Sequence, residues 1–230
     1  MSKLSRRDLL QSAAFIGGTL VLGAAASRAA DASSTVNYVP KPLPFDPRTL
    51  KGISERLIVS HHDKNYVGAV KRLAAIQDKI RQLPADAAPF QMGSLKREVL
   101  IAMNSMILHE YYFDNLGGDG RTGGEIERII KELFGSHEAW EAEFKQTGMS
   151  LAGGSGWVIL SYSPRDKRLY NIWSSDHTQG LADGRPILVM DMYEHSYQMD
   201  YGADAKSYID AFFKNINWEQ VDDRLKQVKL

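Results

Sequence analysis

Cysteine is absent from this 230-residue sequence, and its absence excludes whole classes of protein. Disulfide scaffolds, zinc ribbons, iron–sulfur clusters and thiol catalysis all require it. An excess of positive charge is also missing, because 28 Lys and Arg residues balance 28 Asp and Glu residues. No global cationic field therefore attracts the chain to nucleic acid. Any metal site must use imidazole, carboxylate or backbone oxygen, and only six histidines supply imidazole.

The N-terminus has the composition of an export signal. A cationic start is followed by an apolar run over residues 12–26 and by small residues before Asp31. Paired Arg6 and Arg7, followed by D-L-L, resemble the twin-arginine signal. The apolar run is short and rich in Gly and Ala, so an uncleaved membrane anchor is the less favoured alternative. We expect a signal peptide over residues 1–30, membrane contact only during export, and a periplasmic protein.

The spacing of apolar residues divides the rest of the chain into a linker and two domains. Residues 31–47 hold four of the eight prolines and predict an extended linker. Three- and four-residue steps over residues 48–118 predict two long helices that form an antiparallel hairpin. The second helix is expected from about Ser94 to Leu116, where two glycines stop it.

The remaining residues, 119–230, are expected to form a C-terminal domain of mixed structure. Two amphipathic helical segments come first, and period-two alternation then predicts strands over residues 157–162 and 169–173. An apolar run of strand length follows over residues 186–190, and two further helical stretches close the chain. Helices followed by a small antiparallel sheet with its own helices indicate an α+β fold.

Four residues from both domains are candidate ligands for one metal ion. His61 and His109 lie in the two long predicted helices, and His195 follows Asp191 by four residues. That spacing places two side chains on one helical face, and a strand end leading into a helix would also bring them together. Imidazole and carboxylate suit iron, manganese or zinc. A structural Asp–His pair in the core stays open as the alternative.

Over residues 42–228 the sequence resembles the iron/manganese superoxide dismutase family. The resemblance is carried by S-H-H-D-K at 60–64, N-S-M-I-L-H-E-Y-Y-F at 104–113, G-S-G-W at 154–157, D-M-Y-E-H-S-Y at 191–197 and N-x-N-W at 215–218. The element at 191–197 is the most specific, being similar to the family's D-x-W-E-H-A-Y. The resemblance implies an N-terminal antiparallel α-hairpin domain and a C-terminal domain with a three-stranded antiparallel sheet flanked by helices.

The resemblance also implies an activity, a metal and an assembly. The activity is the disproportionation of superoxide to oxygen and hydrogen peroxide, and the metal is one iron or manganese ion per subunit, iron being the one expected. The implied ligands are solvent and four side chains: His61, His109, Asp191 and His195. His61 fits the family's register better than His62, which is the alternative. The implied assembly is a homodimer through the region of Glu194 and His195.

Some positions depart from the family's pattern. In the family, a glutamine at one of two positions donates to bound solvent, and these positions fall on Ser105 and His177 here. Serine is too short to reach the solvent, so His177 is expected to contact it. The family's active-site tyrosine falls on Ala69, and Tyr66 is the expected replacement, with a core tyrosine as the alternative. These departures leave a second hypothesis open: an exported metal-binding relative with little dismutase activity, acting as a metal store or interaction protein.

Three more residues are assigned roles by the resemblance. Glu194 is expected to cross a two-fold interface to the partner's ligand histidine and orient its ring, with an exposed helix glutamate as the alternative. Trp157 and Tyr111 are expected to wall the pocket, with ordinary core aromatics as the alternative.

Overall fold

A computed structural model describes residues 37–228. The predicted signal peptide and the first part of the predicted linker lie outside the described residues. Within residues 37–228 a helical part precedes a three-stranded sheet with further helices, which confirms the α+β prediction. No helix in this part of the chain is long and apolar enough to cross a membrane.

The helical part consists of two long antiparallel arms. The first arm contains α1 (Glu55–Ser60), a π-helical turn (His61–Tyr66) and α2 (Val67–Arg81), and the second arm is α3 (Pro89–Asp114). The hydroxyl of Ser54 accepts the Leu57 N–H at 3.1 Å, which satisfies one of the free amides at the start of α1. The prediction that the second helix starts near Ser94 is wrong, because proline fits the first turn of a helix and α3 therefore begins at Pro89.

The two arms bury an apolar seam between them. Leu57, Ile58 and Leu73 from the first arm have no measurable exposure, and Ala102 and Tyr112 from α3 are at most 1% exposed. Removing one such aliphatic side chain from water stabilises the fold by about 1.5–3 kcal/mol. This seam fixes the two arms against each other and so fixes the positions of His61 and His109.

The C-terminal part adds the sheet and a shell of helices. Its elements are α4 (Gly124–Phe134), α5 (His137–Met149), β1 (Trp157–Ser163), β2 (Arg168–Ser174), β3 (Arg185–Asp191), α6 (Gln198–Tyr201), α7 (Ala205–Phe213) and α8 (Trp218–Val228). The strand order is β2-β1-β3, and both pairings are antiparallel. Every residue of β1 is buried, as expected for the central strand of a covered sheet.

Register places three chemically important positions at one end of the sheet. Trp157, the first residue of β1, pairs with Ser174 of β2 on one side and with Asp191 of β3 on the other. The chain therefore leaves β2 toward His177, and leaves β3 toward His195, beside the same tryptophan. This end of the sheet faces α3, which contacts β3.

The described part of the predicted linker is anchored to the helical arms. The backbone N–H of Lys41 donates to the hydroxyl of Tyr66 at 2.8 Å. Tyr38, Leu43 and Phe45 pack against the apolar core. The segment has no regular secondary structure before the short 3-10 turn at Pro47–Thr49, in keeping with its prolines.

Candidate metal centre

Four side chains that are far apart in sequence meet at one point. One ligand atom from each of His61, His109, Asp191 and His195 lies within 4.8 Å of the other three. The first three residues are buried, and the side chain of His195 is 30% exposed. The structure therefore brings together the four residues that the sequence predicts as candidate metal ligands.

Each ligand is supplied by a different local structure. His61 opens the π-helical turn of the first arm, and such turns occur frequently at functional sites. His109 lies in the C-terminal part of the second arm, and Asp191 is the last residue of β3. His195 follows in a 3-10 turn, Glu194–Ser196. Of the two geometries considered for Asp191 and His195, the structure has the strand end followed by a helical turn.

The three imidazoles approach the same carboxylate oxygen. Oδ2 of Asp191 lies 3.0 Å from Nε2 of His61, 3.6 Å from Nε2 of His109 and 3.3 Å from Nε2 of His195. The other oxygen, Oδ1, accepts the backbone N–H of Tyr193 at 2.8 Å. One side of the carboxylate is thus held by the backbone, and the other is directed at the imidazoles.

The donor atoms fit a metal ion. Nδ1 of His109 donates to the backbone oxygen of Ser105 at 2.6 Å, so the ring's lone pair is at Nε2. Nε2 of His109 and Nε2 of His195 are both buried without a hydrogen-bond partner among the described residues. A buried polar atom left without a partner costs free energy, and a metal ion at this point would supply one. Three imidazoles and one carboxylate suit iron or manganese.

The protonation states also suit metal binding. Burial lowers the pKa of His109 to about 3 and lowers the pKa of His61, so both rings are neutral near pH 7. Burial of Asp191 acts to raise its pKa, but the neighbouring His195 and His61 outweigh burial and the net pKa is lowered. The cluster therefore presents an ionised carboxylate at Asp191 and neutral imidazoles at His61 and His109, which are the ligand forms that bind metals.

His62, the alternative ligand, lies outside this cluster. One of its ring nitrogens is 2.8 Å from Oδ1 of Asp63, and the other is 2.8 Å from the backbone oxygen of Lys41. Both nitrogens are therefore occupied by surface and linker groups. His61 is the histidine of this pair that faces Asp191.

His177 lies beside the cluster and has a defined tautomer. The indole N–H of Trp157 donates to Nδ1 of His177 at 3.0 Å. An indole nitrogen can only donate, so Nδ1 carries no proton and the neutral ring carries it at Nε2. Burial lowers the pKa of His177, which favours this neutral form. The ring centre lies 6.5 Å from that of His109, so the structure brings an N–H donor next to the candidate ligands.

Tyr66 is buried next to the cluster, but its hydroxyl bonds elsewhere. Its ring centre lies 6.5 Å from that of His109. The hydroxyl donates to Oε1 of Glu110 at 3.0 Å and accepts the backbone N–H of Lys41. Burial raises the pKa of this phenol to about 12, so it stays protonated at physiological pH.

The aromatic wall of the site differs in part from the sequence prediction. Trp157 contacts His109 edge-on, with ring centres 5.1 Å apart. The prediction for Tyr111 is wrong, because its ring packs on the guanidinium of Arg224. Tyr112 contacts His61 instead, with ring centres 5.0 Å apart. Helical spacing from His109 contains the signal for this, since residues three apart share a helix face and residues two apart do not.

Sequence reasoning also missed Tyr208, which holds the backbone of the candidate ligand Asp191. Its hydroxyl donates to the backbone oxygen of Asp191 at 2.7 Å, and Ser196 donates to the same oxygen at 2.9 Å. Nothing in the local pattern around Tyr208 indicates this contact, because it depends on how α7 packs under β3. Glu194 is exposed on the single chain, directly before His195.

Comparison with known proteins places the chain in a family. Residues 122–224 match the model described as iron/manganese superoxide dismutases, C-terminal domain. The chain is 55% identical over 188 residues to a Cupriavidus metallidurans protein named "Superoxide dismutase (Fe)", an alignment that covers 81% of this chain and 95% of the relative. The chain belongs to the iron/manganese superoxide dismutase family.

More distant dismutases align over the same part of the chain. A Pyrobaculum aerophilum protein named "Superoxide dismutase (Fe)" is 30% identical, covering 84% of this chain and 94% of its own length. A Halobacterium salinarum protein named "Superoxide dismutase (Mn) 1" is 32% identical, covering 83% of this chain and 96% of its own length. Family membership confirms the predicted dismutase class and its iron or manganese cofactor.

Proposed function

We propose that this protein is an exported superoxide dismutase that converts superoxide to oxygen and hydrogen peroxide at a mononuclear iron centre. The observation that carries the proposal is the meeting of three imidazoles and one carboxylate within 4.8 Å, in a chain of the iron/manganese dismutase family. A bound iron or manganese ion supplies the one-electron exchange with two successive superoxide ions. The protein must hold that ion, deliver protons and limit access of water.

The ligand set provides a defined charge and rigid support. Asp191 contributes the single negative charge, and His61, His109 and His195 contribute imidazole nitrogens. The second nitrogen of His109 is held by the backbone of Ser105, and the carboxylate of Asp191 is held by the backbone of Tyr193. Such outer contacts orient the ligands and tune the metal they hold.

His177 is proposed as the hydrogen-bond donor to solvent at the site. Its Nδ1 is occupied by Trp157, so only the Nε2–H remains for a second partner. A donor at this position stabilises solvent that carries more negative charge, and so affects both its protonation and the potential of the site.

Tyr66 is proposed as a step in proton delivery. Its ring packs beside His109, and its hydroxyl donates to Glu110. The carboxylate of Glu110 in turn pairs with Lys41, whose side chain is largely exposed. These contacts form a hydrogen-bonded route from the neighbourhood of the cluster to the surface.

Iron is the proposed metal, with manganese as the other family cofactor. Two observations support iron: histidine rather than glutamine at position 177, and 55% identity to a relative whose name specifies iron. We also propose export by the twin-arginine route, on the basis of Arg6 and Arg7. A homodimer through the Glu194 region is proposed because Glu194 and part of His195 are exposed on the single chain.

Metal analysis combined with superoxide-decay kinetics tests the activity. The protein is reconstituted separately with iron and with manganese, metal content is measured, and superoxide decay is followed by stopped-flow absorbance. We expect the iron form to accelerate decay well above the rate of the same concentration of free iron. An Asp191→Asn variant should lose this acceleration, whereas Asp210→Asn, on the outer side of α7, should keep it.

The same experiment separates the two functional hypotheses. Tight metal binding with no acceleration by either metal form would reject the enzyme and favour the metal-binding relative. The engaged hydroxyl of Tyr66 and the alanine at position 69 are the features that motivate this second candidate. The dimer is tested by light scattering, where Glu194→Ala should lower the measured mass toward that of one chain.

A further inference from the structure

His177 lies on a loop between β2 and β3 that is closed by its own hydrogen bonds. Ser174 donates to the backbone oxygen of Asp176 at 2.6 Å, and the backbone N–H of Thr178 donates to Oδ1 of Asp176 at 2.6 Å. The side chain of Gln179 accepts the backbone N–H of Ser175 at 2.9 Å. These bonds define the path of the loop, but none of them touches the imidazole or the backbone of His177.

Two residues outside the loop contact His177 in addition to Trp157. Asn104, on α3, donates its side-chain amide to the backbone oxygen of His177 at 2.6 Å. Tyr193, just after β3, stacks its ring on the imidazole, with ring centres 4.8 Å apart and an interplanar angle of 11°. His177 is therefore held from the helical arm on its backbone side and from the ligand-bearing segment on its ring side.

Tyr193 connects His177 to a candidate metal ligand. Its other neighbour in the stack is His195, with ring centres 5.3 Å apart and an interplanar angle of 22°. The three rings form a column, His177–Tyr193–His195, and its last ring belongs to the cluster. A displacement of Tyr193 would therefore move His177 relative to His195, because stacked rings in a packed site shift together.

The phenol of Tyr193 gives it a second contact with the loop. Burial raises the pKa of this phenol to about 12, and the hydroxyl of Ser155 and the backbone N–H of His177 act in the opposite direction, so both groups interact with its oxygen. The corresponding residue in the family's motif is tryptophan, whose indole has no hydrogen-bond acceptor. A tyrosine here thus offers an acceptor to the backbone of the residue that stands in for the family's glutamine.

We infer that Tyr193 and Asn104 are positioning residues that hold the imidazole of His177 with Nδ1 on Trp157 and the Nε2–H available to the metal site. The inference rests on the proposed role of His177. Asn104 holds the backbone oxygen of His177, and Tyr193 holds its ring and faces its backbone N–H. The histidine side chain has two rotatable bonds, Cα–Cβ and Cβ–Cγ, so the contact with Trp157 alone leaves the ring plane free to tilt.

The test uses single and paired variants of the full-length iron protein. Tyr193→Phe keeps the stacked ring and removes the phenol, and Asn104→Ala removes the amide. Each is made alone and together with His177→Ala, and two quantities are measured: the midpoint potential of the bound iron and the turnover of superoxide. The matched controls are Tyr170→Phe and Asn171→Ala. Tyr170 is an exposed tyrosine on β2 that donates to Asp166, and Asn171 bonds Trp140 and Glu143 away from the cluster.

If both residues act through His177, each single variant shifts the potential and lowers turnover by about tenfold, the lower end of the loss that is typical of outer contacts at metal sites. Neither variant changes the potential further in the His177→Ala background, because the group they position is gone. The two controls leave the potential unchanged. Equal shifts with and without His177, or no shift in either single variant, would overturn the inference.

The two readouts separate this inference from the proposed function. If the wild-type iron protein fails to accelerate superoxide decay, the proposed function fails. The comparison of midpoint-potential shifts with and without His177→Ala still decides the positioning role. If Tyr193→Phe does not fold, Asn104→Ala carries the test by itself, since it removes one partly buried amide from a helix without changing the sheet.

Discussion

Nε2 of His61 lies 3.0 Å from Oδ2 of Asp191, although 130 residues separate them in the chain. His61 belongs to the first helical arm, and Asp191 ends the last strand of the sheet. The contact therefore exists only when the helical part and the sheet part have folded together. A metal ion bound between them stabilises both parts at once, because binding favours the folded state that forms the site.

Replacing His109 by alanine should abolish stoichiometric metal binding. The variant removes one of the four ligands and leaves the carboxylate of Asp191 without one of its neighbours. His62→Ala is the matched control, because His62 bonds Asp63 and Lys41 rather than the cluster. Metal content after dialysis, measured by plasma mass spectrometry, should fall only in the His109 variant. Loss of metal in His62→Ala would contradict the assignment of His61.

Trp157→Phe should lower turnover while the metal stays bound. The change removes the N–H that holds Nδ1 of His177, and we expect a loss of about tenfold. Trp140→Phe is the control, since Trp140 is equally buried and donates to Asn171 instead. Both variants lose indole packing, so thermal unfolding should respond similarly in each. Equal activity in the two variants would show that the contact with His177 has no catalytic effect.

Tyr66→Phe should reduce the rate without reducing metal content. The phenol hydrogen that links the neighbourhood of His109 to Glu110 is lost, while the ring and its packing remain. Glu110→Gln should give a smaller loss in the same direction, because an amide can still accept the phenol's hydrogen bond. Superoxide decay in water and in deuterium oxide measures the effect. A Tyr66 variant with full activity would leave this residue a structural core tyrosine.

The metal-free protein should lose stability on acidification below about pH 6.5. Burial lowers the pKa of His109 from 6.5 to about 3. Between these two values the unfolded chain binds a proton at His109 and the folded chain does not. More protons on the unfolded state mean that the free energy of unfolding decreases as the pH falls. Asp191 does not contribute in this window, because its lowered pKa acts only below the ordinary carboxyl value of 3.8.

Urea unfolding at several pH values from about 7.5 to 4.5 measures this slope. A His109→Asn variant, which lacks the titrating ring, should show a shallower decrease over the same range. Equal slopes in the two proteins would mean that His109 is protonated in the folded metal-free state.

Replacing Arg6 and Arg7 with lysine should block export. The twin-arginine route depends on the paired arginines, whereas lysine preserves only the charge. Cell fractionation of the native host, with immunoblotting for precursor and mature forms, measures the outcome. Full recovery of the lysine variant from the periplasm would reject this route, and Lys3→Arg serves as a control that changes a basic residue outside the pair.

The order of elements and the ligand types were accessible from the sequence. Apolar spacing indicated two helical arms and three strands, and six histidines in a chain without cysteine restricted the choice of ligands. The start of α3 was misplaced because proline reads as a helix breaker unless its position in the first turn is known. The apolar spacing does not indicate the π-helical turn at His61–Tyr66.

The site's outer contacts were less accessible, and Tyr111 shows why. Helical periodicity alone places Tyr112, not Tyr111, on the face of His109, but the direction of that face depends on how α3 packs against the rest of the chain. Tyr66 illustrates the same limit, since its hydroxyl is directed by Lys41 and Glu110, which come from two other segments. Asn104 and Tyr193 were not nominated at all, because their contacts with His177 cross three elements.

By itself, the sequence determined which residue types were available for redox metal chemistry and in which elements they lie. Local patterns record this because helix and strand periodicity depend on neighbours a few residues away. Only the tertiary structure decided that His61 and Asp191 share one point, which nitrogen of His177 carries its proton, and where the hydroxyl of Tyr66 donates. Those outcomes depend on register and packing between distant segments. The free energy of such contacts depends on both segments, so no local pattern in either one reveals it.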